Sequence, residues 1–200
     1  MRKFAIKIAW QMLIIYRQRI ANPLRQVKKS NASHQYQEKK KIKPMLNKEL
    51  EKAVLLGDTS LTKALLANKC NIDAKDKYGR TLLYDAILKG FTDIVEELCL
   101  ARINVNHQDN NGKTPLHFAS LHNKLDIARI LIRYGADVNL KDENGNTALF
   151  DAIFNSKGKP DIILLLKENG ADYQTPNNYG VSPKQLAETI ENFDVSYLFK

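Results

Sequence analysis

Four glycines fall on a regular beat: Gly79, Gly112 and Gly145 lie 33 residues apart, and Gly180 follows 35 later. The flanking text nearly repeats, as AKDKYGRTLLYDAI, HQDNNGKTPLHFAS, LKDENGNTALFDAI and TPNNYGVSPKQLAE. Self-similarity at such a period marks a stack of small supersecondary units. No unit of this size can bury its own apolar face, so each packs on its neighbours and the core runs along the stack. The pattern points to an extended surface and away from a catalytic pocket.

From about residue 46 the chain parses into five units: 46–75, 76–108, 109–141, 142–176 and 177–200. Each full unit begins with a polar turn holding the glycine, where a positive φ costs little. A short helix, a break, a second helix and a polar tail follow. Thr81, Thr114, Thr147 and Ser182 sit where a hydroxyl can cap the first helix, and Pro115 and Pro183 occupy its first turn. Leu83, Leu116 and Leu149, each followed three residues later by Ala86, Ala119 or Ala152, make the buried stripe of that helix. Ile94/Val95/Leu98, Ile127/Ala128/Leu131 and Ile162/Ile163/Leu166 supply the matching face of the second helix. Asp93, Asp126 and Asp161 suit its N-terminus.

Three departures carry information. The first unit lacks the glycine turn and the last ends at Phe199-Lys200, as expected of atypical terminal repeats. Arg102-Ile103 replaces Gly-Ala at the end of the second unit, which predicts an irregular loop. The fourth unit carries two extra residues within Asn155–Pro160, which should fall in a loop.

Thr114-Pro115-Leu116-His117-Phe118-Ala119 and Gly135-Ala136-Asp137-Val138-Asn139 resemble the opening and closing phrases of the ankyrin repeat. The resemblance covers residues 46–200 and implies an all-α repeat solenoid of helix-turn-helix units with β-hairpin loops. A basic N-terminal extension, residues 1–44, precedes the repeat domain, residues 45–200. The resemblance gives His117 a structural hydrogen-bonding role. It also implies a concave groove, formed by hairpin tips and first helices, that binds a folded protein partner. Carried over by position, the tips present Lys77, Tyr78 and Arg80, then Asn110, Asn111 and Lys113, then Glu143, Asn144 and Asn146, and finally Asn178 and Tyr179. Leu55, Leu88, Leu121 and Phe154 form an apolar column at 33-residue spacing, with Leu56, Lys89, His122 and Asn155 beside it. These residues are either partner-contacting groups or helix ends that contribute only packing. The Asn-, Lys- and Ile-rich repeats are also similar to small bacterial ankyrin proteins, some of which are immunity proteins that occlude a toxin.

Charge is distributed unevenly. The net charge is +9, but residues 1–44 hold 12 of the 31 Lys and Arg and only one of the 22 acids, Glu38. The leader is therefore strongly basic, and the remaining 19 bases and 21 acids leave the repeats slightly acidic. Residues 4–16, FAIKIAWQMLIIY, are interrupted by Lys7 and Gln11 and too short to span a bilayer, which takes ~20 apolar residues. An amphipathic helix fits, making residues 1–20 a candidate peripheral membrane contact. Signal-peptide and transit-peptide readings fit less well, and a start at Met45 would remove the leader altogether. Salt-dependent membrane or nucleic-acid binding through the leader is the alternative class of function, with nucleic acid the less expected target. The chain is expected to be cytoplasmic and monomeric.

No nucleophile elbow, zincin helix, phosphate loop or Cys-x-x-Cys occurs, so no catalytic residue, metal or cofactor is expected. Asp85 and Asp151 occupy equivalent positions two repeats apart. Layers of ~8–10 Å separate them by roughly 16–20 Å, beyond the about 5–9.5 Å of a glycosidase pair. Asp109 and Asp142 read as turn and cap residues. Cys70 and Cys99 read as small core residues in a reducing compartment.

Overall fold

A computed structural model describes residues 44–68, 70–190 and 195–200. The expectations for the leader up to residue 43, membrane contact included, lie outside the described residues. The chain divides into two compact units, Met1–Glu49 and Leu50–Lys200.

The second unit opens inside helix α1, helical over residues 44–56. It continues through α2 (Thr59–Leu66), α3 (Leu82–Lys89), α4 (Thr92–Leu100), α5 (Pro115–Leu121) and α6 (Leu125–Arg133). Then come α7 (Ala148–Phe154), α8 (Asp161–Glu168), α9 (Pro183–Thr189) and a 3-10 turn (Ser196–Phe199). Inner helices α3, α5, α7 and α9 each pack on the next, as do outer helices α2, α4, α6 and α8. The result is a two-layer, all-α repeat solenoid. The apolar stripes read from the sequence are its core: Leu83, Leu116, Leu149, Ile94, Val95, Leu98, Leu131, Ile163 and Leu166 are fully or almost fully buried. Burying such side chains supplies about 1.5–3 kcal/mol each. Seven- to nine-residue helices are far too short to persist alone, so they exist only because they stack.

Capping divides the repeats. Thr114 and Ser182 form capping boxes in which His117 Nδ1 and Gln185 Oε1 accept the cap residue's own N–H, at 3.1 and 2.9 Å. Thr81 and Thr147 sit at the equivalent N-caps but make no side-chain cap bond, and their hydroxyls are buried without a partner. The expectation of four hydroxyl caps is thus corrected to two. Tyr84 and Phe150 stand where His117 and Gln185 stand, and neither offers a reciprocating acceptor that close to its backbone.

The Arg102-Ile103 loop is not irregular. Arg102 N donates to Cys99 O at 2.9 Å and Ile103 N to Leu98 O at 3.2 Å. Gly135-Ala136 makes the same two bonds to Ile132 and Leu131. Arg102 attains this geometry at φ +65°, a left-handed conformation that an L side chain adopts at a penalty. The extra residues of the fourth repeat do lie in the loop between α7 and α8. Neither cysteine forms a disulfide, and burial pushes the Cys99 thiol up to about 11.

Two stability measurements follow from the backbone. Arg102→Gly is expected to raise unfolding free energy by about 0.5–1 kcal/mol in urea titrations, because relief of the left-handed strain exceeds the added chain entropy. Gly112→Ala and Gly180→Ala should separate: both have φ near +75° (+74° and +79°), but only at Gly112 would a Cβ meet backbone, 2.8 Å from Glu143 N. Gly180→Ala should cost about 1 kcal/mol and Gly112→Ala at least twice that. Equal losses would show that hairpin packing is irrelevant.

Candidate functional site

Every hairpin is built around one side-chain oxygen. Asp76 Oδ1 accepts the N–H groups of Tyr78 and Arg80 at 2.8 Å each. Asp109 does the same for Asn111 and Lys113, Asp142 for Asn144 and Asn146, and Asn177 for Tyr179 and Val181, all within 2.9–3.0 Å. Backbone bonds close each loop, as from Asp109 N to Lys113 O at 3.0 Å. The hairpins are too short for a continuous ladder, and no strand occurs among the described residues.

The hairpins then stack. Asn110 N donates to Tyr78 O, Glu143 N to Asn111 O and Asn178 N to Asn144 O, each at 3.0 Å. Asn110 and Asn178 add carboxamide bonds to Lys77 O and Glu143 O. His107 Nε2 lies 2.7 Å from Gly79 O. His117 Nδ1 accepts the Thr114 N–H, so Nε2 carries the proton and donates to Asn146 O at 3.0 Å. Burial lowers the His117 pKa and keeps the ring neutral. Tyr84, one repeat earlier, does the equivalent job with its hydroxyl, which lies between His107 O at 2.5 Å and Lys113 O at 2.9 Å. The sequence reading missed this residue; its register, 33 before His117, was the available signal.

The residue after each of the first three hairpin glycines reaches forward by one repeat. Arg80 pairs with Asp109 at 3.4 Å and lies 4.7 Å over the Phe118 ring and 5.2 Å over Tyr78. Lys113 bridges Asp142 at 3.0 Å and Asp151 at 2.8 Å. Asn146 Oδ1 accepts from Asn177 Nδ2 at 2.8 Å. The register sets Arg80, Lys113 and Asn146 among the partner-facing tip residues, but the structure turns these three side chains along the array and half-buries them. Burial raises the Asp151 carboxyl above its ordinary range, against the pull of Lys113. Burial opposes the Lys113 charge as well, but Asp151 and Asp142 outweigh it and raise its pKa.

The other sequence-selected residues divide by exposure. Lys77, Tyr78, Asn111, Asn144 and Tyr179 stand out at the tips, and Lys89 and His122 stand beyond the inner helices. Tyr78 is 51% exposed with Lys77 Nζ 4.8 Å from its ring centre. Tyr179 is 73% exposed and donates from its hydroxyl to Asn144 Oδ1 at 3.1 Å. Along the apolar column Leu55, Leu88 and Phe154 are exposed, Phe154 by 67%, while Leu121 is half-buried. Leu56 is exposed beside the column and Asn155 is half-buried, tied through Nδ2 to Asp151 O at 3.1 Å. Among the described residues no cluster of His, Cys, Asp and Glu could hold a metal ion, and no helix is long and apolar enough to cross a membrane.

Stacked helix pairs with a hairpin on each, presenting one continuous face, define a repeat-scaffold protein. The family model for ankyrin repeats (3 copies) matches residues 50–142 and 103–177, well over half of the chain. The chain belongs to the ankyrin repeat family, whose members are generally protein-interaction modules. A search of curated proteins found no match.

Two titrations test this lattice. Lys113→Met leaves the Asp142 and Asp151 carboxylates without their cation, and stability at neutral pH should fall by about 2–4 kcal/mol. Asp151, whose carboxyl burial already raises, then takes up its proton more readily, so the deficit shrinks as pH falls and that carboxyl is neutralised. His117 has a folded pKa below its ordinary 6.5, so its contribution is complete above that value and is lost as pH falls through the folded pKa. His117→Gln, which copies the Gln185 cap, should therefore make the fall in melting temperature between about pH 6.5 and 5 shallower.

Proposed function

We propose that this protein binds a folded partner protein on the face formed by its hairpin tips and inner helices. The observation that carries this reading is the set of large apolar groups left exposed there, Leu55, Leu56, Leu88, Phe154, Tyr78 and Tyr179. Polar tip residues surround them. Tyrosine and phenylalanine exposed on a rigid platform lose little side-chain entropy on contact, which is the composition of binding hot spots. Tyr78 and Tyr179 are also held in advance, one by the cations beside its ring and one by its bond to Asn144. An inhibitor that occludes a toxin would use the same face. The mechanism is steric and electrostatic complementarity, without a chemical step.

The test is a triple variant, Tyr78→Ser, Leu88→Ser and Phe154→Ser, used as bait beside the native chain. Capture of the native chain's partner should fall by about 100-fold or more, since two or three hot spots of about 2 kcal/mol are removed. Far-ultraviolet circular dichroism should be unchanged, because all three side chains project from the surface. Undiminished capture would move the binding site elsewhere. Salt-dependent co-sedimentation of the full chain with anionic vesicles or DNA, lost on removal of residues 1–44, would instead assign binding to the basic leader.

A further inference from the structure

The equivalent inner-helix positions are 85, 118, 151 and 184, and two of them, 118 and 151, are served by the residue after the preceding repeat's glycine. Arg80 covers Phe118 at 4.7 Å and Lys113 bonds Asp151 at 2.8 Å. The first unit lacks the glycine turn, so no residue of this kind precedes Asp85. Asp85 is half-buried, and among the described residues it accepts no hydrogen bond and forms no ion pair. Lys89, one turn further along α3, is exposed and forms no ion pair with it, acting only at longer range. Arg80 is engaged by Asp109 and two aromatic rings. Burial, Asp76 and Glu51 raise the Asp85 carboxyl, and Arg80 and Lys89 oppose them without reversing the shift. Asp85 is therefore a carboxylate in the position where Asp151 has a lysine, without the lysine.

Its surroundings are those of a contact surface. Leu88 lies three residues along the same helix, on the same face, and is 37% exposed. Leu55 and Leu56 on α1 and Tyr78 on the hairpin are exposed as well. We propose that the face of the first two repeats takes a Lys or Arg side chain of the partner protein at Asp85, with the partner's adjoining apolar side chains against Leu55 and Leu88. The inference rests on the protein-binding reading of this face. The incoming cation supplies from outside what Lys113 supplies to Asp151 from within. Docking also removes water from the carboxylate, which strengthens the charge-assisted bond. Glu51 and Asp76 favour the same sign of partner.

A phage-displayed library of random peptides selected on the full chain tests this. The enriched peptides should carry Lys or Arg beside Leu, Ile or Phe, and their binding should be lost with Leu88→Ser. A synthetic copy of the best peptide should bind Asp85→Asn about tenfold or more weakly, the loss of one charged hydrogen bond. Its affinity for Glu168→Gln, altered at an exposed acid of outer helix α8, should stay within about twofold. Asp85→Asn should melt no lower than the native chain at neutral pH, because the carboxylate it removes has no internal partner. Peptides that need Leu88 but lack basic residues, or bind Asp85→Asn equally well, overturn the inference and leave the binding face standing. A selection yielding no peptide that depends on Leu88 overturns both.

Discussion

Hairpin packs directly on hairpin, backbone against backbone, and the solenoid depends on that approach. At Gly112 a Cβ would stand 2.8 Å from Glu143 N and 3.1 Å from the Asp142 backbone. At Gly145 it would stand 2.9 Å from Asn178 N. With hydrogen in its place, the next hairpin comes close enough for the 3.0 Å N–H···O=C bonds that link successive tips. Those bonds fix the spacing between repeats, and that spacing lets Arg80, Lys113, Tyr84 and His117 reach the following unit. Gly180, in the last hairpin, has open space where its Cβ would be. It keeps only the conformational half of the requirement.

The closing turns on the opposite edge are tied by a second device. Asn106 and Asn139 each donate to a glycine carbonyl of the next turn, Gly135 O or Gly170 O, at 3.0 Å. Each accepts from a backbone N–H, Asp137 or Asp172, at 2.8 Å. Both edges of the array are thus stitched by groups that repeat at the period of the fold, while the helices between them need only apolar bulk. Exposed cross-repeat ion pairs on the outer helices, Lys63–Glu97 and Arg133–Glu96, add little to this in water.

Most of the framework was legible from the sequence because its signals are local or strictly periodic. Glycine spacing, the leucine–alanine stripes and the outer-helix apolar runs identified the units and the core. What failed were inferences about which of two neighbours a side chain would choose. Arg80 and Lys113 look like tip cations in sequence, but each finds a carboxylate one repeat on, where burial strengthens the attraction. Thr81 and Thr147 look like caps, but a cap of this kind is reciprocal and their repeats lack the partner at the third helical position. Arg102 looks like a broken turn, yet the bonds made by its neighbours hold the chain in the glycine conformation.

The sequence by itself determined the family, the number and order of repeats, the buried stripes and the concentration of basic charge ahead of the array. All of these follow from the identity of residues at fixed spacing. Only the tertiary structure decided which polar groups are spent inside the stack and which remain on its surface. Lys113 bridges Asp142 and Asp151 across two repeats, whereas Asp85, chemically identical to Asp151, has no cation in an ion pair with it. The difference arises because partnership depends on what the adjoining layer offers at about 3 Å, and a residue's own position in its repeat does not specify that.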